Sequence, residues 1–136
     1  MTRKAARLLS LYLPVVLWCS LIFYLSATPF LKTELGFWDL ILRKIAHMVE
    51  FGVLFLLAKR ALSGSGLGLN RKEVNLVSFV FAMLYAVSDE YHQAFVPGRG
   101  PSLIDVCIDT LGIILAYIVN RIIECKLQSA NLKLKV

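Results

Sequence analysis

Cysteine is scarce and badly spaced for chemistry. Cys19, Cys107 and Cys125 are the whole supply, and no two have metal-type spacing. Two lie in apolar runs, so they read as small core residues, not as ligands or a disulfide framework. A phosphate-cradling glycine loop is missing as well. Gly64, Gly66 and Gly68 belong to the stretch Ser63-Gly64-Ser65-Gly66-Leu67-Gly68, which reads as a flexible link, and no P-loop or dinucleotide pattern opens a helix. The net charge is +6, yet no basic stripe interleaved with aromatics accompanies it. That argues against a nucleic-acid partner. Internal repeats and low-complexity blocks are absent too.

Apolar residues fill the space. They make up 58% of the 136 positions, with mean hydropathy +0.71, against roughly 45–50% in a typical globular chain. A water-soluble domain this small has too little interior to hide so much apolar surface. Lipid is therefore the expected solvent. The run from Leu8 to Leu25 carries no charge over 18 residues and follows Arg3, Lys4 and Arg7. A secretory signal would have a shorter core, about 7–15 residues, and a small-x-small cleavage site that Leu25-Ser26-Ala27 does not supply. The run reads as a retained membrane helix.

The same reasoning predicts one all-α domain over 1–136, with helices at about 8–27, 43–62, 74–96 and 103–123 and a basic tail at 124–136. Each helix is near the ~20 residues that a bilayer core requires. Between the first two lies a loop, Phe30 to Leu42, with Trp38 placed for the headgroup level. A tight turn, Pro97 to Pro101, joins the last two.

Charge sets the orientation. The N-terminus, the Lys59–Glu73 region and the tail from Arg121 hold 11 of the 15 basic residues and only two acids, Glu73 and Glu124. The remaining regions hold Lys32, Arg43, Lys44 and Arg99 with seven acids. By the positive-inside rule both termini face the cytoplasm. The expected product is a polytopic inner (plasma) membrane protein, a small bundle of four transmembrane helices, N-in and C-in.

That topology brings every conspicuous polar residue to the outer side. Arg43, His47 and Glu50 repeat at i, i+4, i+7 on the second helix. Asp89, His92 and Gln93 fall at i, i+3, i+4 on the third, beside Glu90, and Asp105, Asp109 and Gly112 repeat i, i+4, i+7 on the fourth. Each set lies on one helix face. Ionisable groups facing lipid are costly, so the sets are expected to face one another around a polar pocket that opens outward. Ala82/Ala86 and Gly112/Ala116 are small-xxx-small pairs that permit close packing.

The order Lys44-x-x-His47-x-x-Glu50, then Asp89-Glu90-x-His92-Gln93-x-Phe95, then Pro97-Gly98-Arg99, then Asp105-x-x-x-Asp109-x-x-Gly112 resembles the VanZ-like family. The likeness extends over about residues 8–123, with Trp18 and Ser26-x-x-Pro29 in the first helix. Asp109 stands where that family often has Asn, which leaves the charge of this residue open. The resemblance implies a membrane protein associated with low-level resistance to the glycopeptide teicoplanin, by a mechanism that is not established. Some relatives carry a phosphotransbutyrylase label, for which this chain offers no phosphate-cradling loop.

Three functional readings follow, beside a purely structural salt-bridge network of Asp89 and Glu90 with Arg43, Lys44 and Arg99. In the first, the pocket binds an envelope lipid or lipid-linked cell-wall intermediate. Arg99 and Arg43 or Lys44 would hold phosphate, while Glu50, Gln93, Asp105 and Asp109 would take hydroxyls or an amine. In the second, the site is a hydrolase or transferase with Asp89, Glu90, His47 and His92 as general acids and bases. The third is a metal site drawn from His47, Glu50, Asp89 or Glu90, His92 and Asp105. The residue types suit zinc or manganese, but no recognised metal spacing is present, so neither a metal nor another cofactor is expected. Membrane lipids or a lipid-linked precursor are the expected partners.

Overall fold

The structure is a computed structural model and describes residues 2–29 and 36–133. The chain forms four helices: α1 (Arg3–Ser26), α2 (Phe37–Gly64), α3 (Arg71–Gln93) and α4 (Leu103–Lys133). Among the described residues there is no strand.

Local chemistry sets most of the ends. The Thr2 hydroxyl accepts from the Ala5 amide at 3.3 Å and opens α1. α1 closes at Ser26, ahead of Pro29, whose ring disfavours helix in the residue before it. Asn70 and Glu73 form a reciprocal capping box at the start of α3, satisfying amides that the first turn leaves without partners. Ser102 caps α4 by accepting from the Asp105 amide at 3.2 Å.

Three boundaries differ from the sequence expectation. Of the Phe30–Leu42 loop, residues 30–35 lie outside the described set, and from Phe37 the chain is already helical. Arg43 and Lys44 therefore sit about two turns inside α2 instead of at its first residues, where Asp39 and Asp105 offset their charge. α3 stops at Gln93, short of Val96, because Pro97 restricts Val96 and the chain is turning by then. α4 runs on through most of the expected tail to Lys133; residues 134–136 lie outside the described set.

Contacts between helices show that they alternate in direction. Ser26 at the end of α1 meets Asp89 near the end of α3, and Lys44 near the start of α2 meets Asp105 near the start of α4. At the far end Gly64 lies against Leu11, and Arg71 pairs with Glu124. α2 is the central helix and packs against the other three, most extensively against α4, while α1 and α4 do not touch. The buried core runs through Ile22, Phe51, Leu54, Phe55, Ala82, Ala86 and Ile113.

Glycine brings α2 and α4 together. A Cβ at Gly112 would overlap the backbone of Met48, and one at Gly52 would stand 3.1 Å from the Gly112 carbonyl. The two backbones are in direct contact one residue from His47 and one turn from Asp109. Such close approach is the ordinary use of small residues between membrane helices.

The exterior is apolar. Leu13, Val16, Leu17 and Phe23 on α1, Leu76 and Leu84 on α3, and Leu115, Val119 and Ile122 on α4 are all exposed. Inside, Asp89, Glu90 and Gln93 are 4%, 4% and 5% exposed and Asp109 is 0% exposed. Soluble monomers rarely show so continuous an apolar surface. Among the described residues, α1 and α4 are each long enough, and carry a sufficiently apolar 18-residue stretch, to cross a membrane.

Candidate functional site

The polar residues gather where α1 and α3 end and α2 and α4 begin. Two cavities, of about 290 and 170 Å³, share Arg43, His47 and Arg99 in their walls. The larger adds Ser26, Asp39 and Glu50; the smaller adds Lys44, Gln93 and Asp105.

A turn delivers Arg99. The Arg99 amide donates to the Val96 carbonyl at 3.0 Å, with Pro97 second and Gly98 third at φ +81°. This is a type II turn, whose third position needs the positive φ that glycine adopts freely. Thus placed, Arg99 Nη2 donates to the Leu25 carbonyl at 3.2 Å and crosses to the end of α1. Arg99 Nε is buried with no hydrogen-bond partner. Burial, and next the charge of Arg43, lower the Arg99 pKa from its ordinary value, while Asp89, Glu50 and Glu90 oppose the shift. A guanidinium nonetheless stays charged throughout the physiological range.

The acids divide into three settings. At the rim Lys44 Nζ meets Asp105 Oδ1 at 2.9 Å and Arg43 pairs with Asp39. Deeper, Asp89 Oδ2 accepts from the Ser26 hydroxyl at 2.8 Å and the Gln93 amide at 2.9 Å. Glu90 Oε2 accepts from the Ser102 amide at 2.8 Å, tying the end of α3 to the start of α4. Deepest is Asp109, whose Oδ1 lies 3.2 Å from His47 Nδ1. Neither of those atoms completes a hydrogen bond, nor do Asp109 Oδ2 and Glu90 Oε1.

Among the described residues Asp89 and Glu90 form no ion pair with Arg43, Lys44 or Arg99. The expected salt-bridge network is confined to the rim, and Asp89 and Glu90 are held by neutral donors instead. Arg43, Lys44, His47, Glu50, Gln93, Arg99 and Asp105 line the cavities; Asp89, Glu90 and Asp109 pack behind them. His92 is the exception. Its ring stacks on Phe23, with centroids 4.3 Å apart, and lines neither cavity. His92, at i+3 from Asp89, faces about 100° of arc away from Gln93 at i+4, and that difference turns His92 toward α1.

Two participants were not among the expected site residues. Ser26 contributes the hydroxyl on Asp89, signalled only by its place in the Ser26-x-x-Pro29 ending of the family resemblance and at the end of an apolar run. Trp18 donates its indole N–H to the Glu50 carbonyl at 2.8 Å and fixes α2 against α1 at the site's level. A buried indole N–H needs an acceptor, but the sequence does not say which.

A family model described as VanZ/LLP1 matches residues 11–124. No curated protein and no solved structure matches the chain.

Proposed function

This chain belongs to the VanZ/LLP1 family, and from that premise we propose that it is a four-span plasma-membrane protein whose cavities bind the phosphate of an outer-leaflet lipid or lipid-linked cell-wall intermediate. Membership of the family associates it with teicoplanin resistance, and altered handling of such a lipid would change sensitivity to a lipid-anchored glycopeptide. All four helices are long enough to span, at ~1.5 Å per residue over 23 residues or more. The charges of α2 and α3 are what lower their apolarity, and most turn inward or sit at the ends. The basic groups at the start of α1, the end of α2, the start of α3 and the end of α4 share one end of the bundle, which the positive-inside rule assigns to the cytoplasm. The cavities then open outward.

The observation that carries the reading is Arg43 and Arg99 lining the same cavities, with Arg99 Nε unpartnered. Arg43 already pairs with Asp39, whereas Arg99 keeps an open donor, and phosphate oxygens match the forked donors both guanidiniums present. Native mass spectrometry of the detergent-purified protein tests this. The parent should retain a phosphate-bearing lipid that Arg99→Gln loses while its melting temperature stays within a few degrees. Equal lipid retention by the two proteins would refute the assignment.

A second reading, a hydrolase or transferase at the same place, draws on the buried Glu90 and Asp109 beside His47. Turnover of the retained lipid by the parent and its absence in Glu90→Gln would favour it over binding alone.

A further inference from the structure

Behind the cavity wall, three helices converge on a small set of atoms whose hydrogen bonds are incomplete. Ligand atoms of His47 (α2), Glu90 (α3) and Asp109 (α4) lie within 4.8 Å of one another. The His47 side chain is 12% exposed, and Glu90 and Asp109 are buried. His47 Nδ1, Glu90 Oε1 and both oxygens of Asp109 lack hydrogen-bond partners, although buried polar atoms in native proteins nearly always have one. One Asp109 oxygen and the imidazole nitrogen are separated by 3.2 Å, close to the spacing of adjacent ligands on a cation with bonds of about 2.0–2.2 Å.

Charge points the same way. Among the described residues, Asp39, Glu50, Asp89, Glu90, Asp105 and Asp109 share this end with the permanent cations Arg43, Lys44 and Arg99. Two of those cations pair with Asp105 and Asp39 at the rim. Uncompensated carboxylates in a low-dielectric interior are strongly disfavoured. Two positive charges placed among Glu90, Asp109 and His47 would offset most of the excess.

We infer that His47, Glu90 and Asp109 form a divalent transition-metal site, for zinc or manganese. One imidazole and two carboxylates are a donor set those ions accept, whereas an imidazole disfavours magnesium and calcium. The ligand set differs from the one the sequence suggested: Asp109 enters, Asp89 is occupied by Ser26 and Gln93, Asp105 by Lys44, and His92 is stacked on Phe23. Glu50 lines the larger cavity instead. Three protein ligands leave a coordination position for water or a bound group. The site does not depend on which lipid the cavities take.

The test is elemental analysis of the full chain purified in detergent without chelator, paired with thermal melting. The parent should carry close to one zinc or manganese per chain. Occupancy should fall at least about tenfold in His47→Gln and in Asp109→Asn, since even outer-shell changes cost metal sites about 10–100-fold. Zn²⁺ or Mn²⁺ added to chelator-treated parent should raise its melting temperature, and Mg²⁺ should not. This second measurement stands even if a variant fails to fold. Parent protein free of metal whose melting temperature does not respond to Zn²⁺ or Mn²⁺ would overturn the assignment. So would parental occupancy in both variants, or an equal response to Mg²⁺.

Discussion

At one end of the bundle Lys59, 8% exposed, reaches Asn120 and Glu124, and Glu124 also takes Arg71 and lies near Arg121. At the other, His47, Glu90 and Asp109 stand together with four side-chain atoms unpartnered. Both ends bury charge in an apolar bundle. At the first, Lys59 and Glu124 find charged or amide partners within the protein, although Asn75 Oδ1 on the first turns of α3 is left without one. The second leaves donors and acceptors open next to cavities lined by two arginines. Buried polarity by itself is therefore a poor marker of function here, and unsatisfied polarity is a better one.

The helix seams differ in the same sense. Near the cavities α2 and α4 touch through backbone at Met48 and Gly112; near Lys59, Gly64 meets only the side chain of Leu11. Gly112→Leu should therefore have the largest effect, more than ~3 kcal/mol lost through overpacking that no rotamer change relieves. Gly64→Ala should stay within about 0.5 kcal/mol, because Leu11 can rotate away. Reversible unfolding in mixed detergent reads both values. If Gly112→Leu is tolerated, the backbone contact does not set the site's geometry.

Lys59→Met should come next. It removes charged hydrogen bonds to Asn120 and Glu124, each worth about 1.5–3 kcal/mol, but Glu124 keeps Arg71 and loses only part of its compensation. The same unfolding assay should show a loss in the lower part of that range. Lipid retention by native mass spectrometry should remain at the parental level, and its loss would mean that the two ends are coupled. Lys44→Met should matter least to stability, within about 1 kcal/mol, as the Lys44–Asp105 pair is only half-buried.

The apolar runs and the distribution of charge revealed that the chain is helical, that there are four helices, and that the polar residues of α2, α3 and α4 share one end. Those features follow from the apolar runs and from the cost of a charge facing lipid. Finer detail was out of reach for physical reasons. His92 and Gln93 are adjacent in sequence, and only the position of Phe23 on α1 decides which of them turns to the cavity. The start of α2 was hidden because Arg43 and Lys44 look like the charged first residues of a span until Asp39 and Asp105 are seen beside them. Asp105 and Asp109 look equivalent on one helix face, yet one reaches a lysine at the rim while the other is sealed behind His47.

The claim that the two ends differ in kind is tested most directly by neutralising one buried charge at each and comparing melting temperatures in detergent containing chelator. Asp109→Asn removes a carboxylate that nothing in the protein fully satisfies, so it should melt at or above the parent. Lys59→Gln removes a cation bound by two partners and should melt below it. If Asp109→Asn is the more destabilised of the two, Asp109 is a structural group and the contrast between the ends fails.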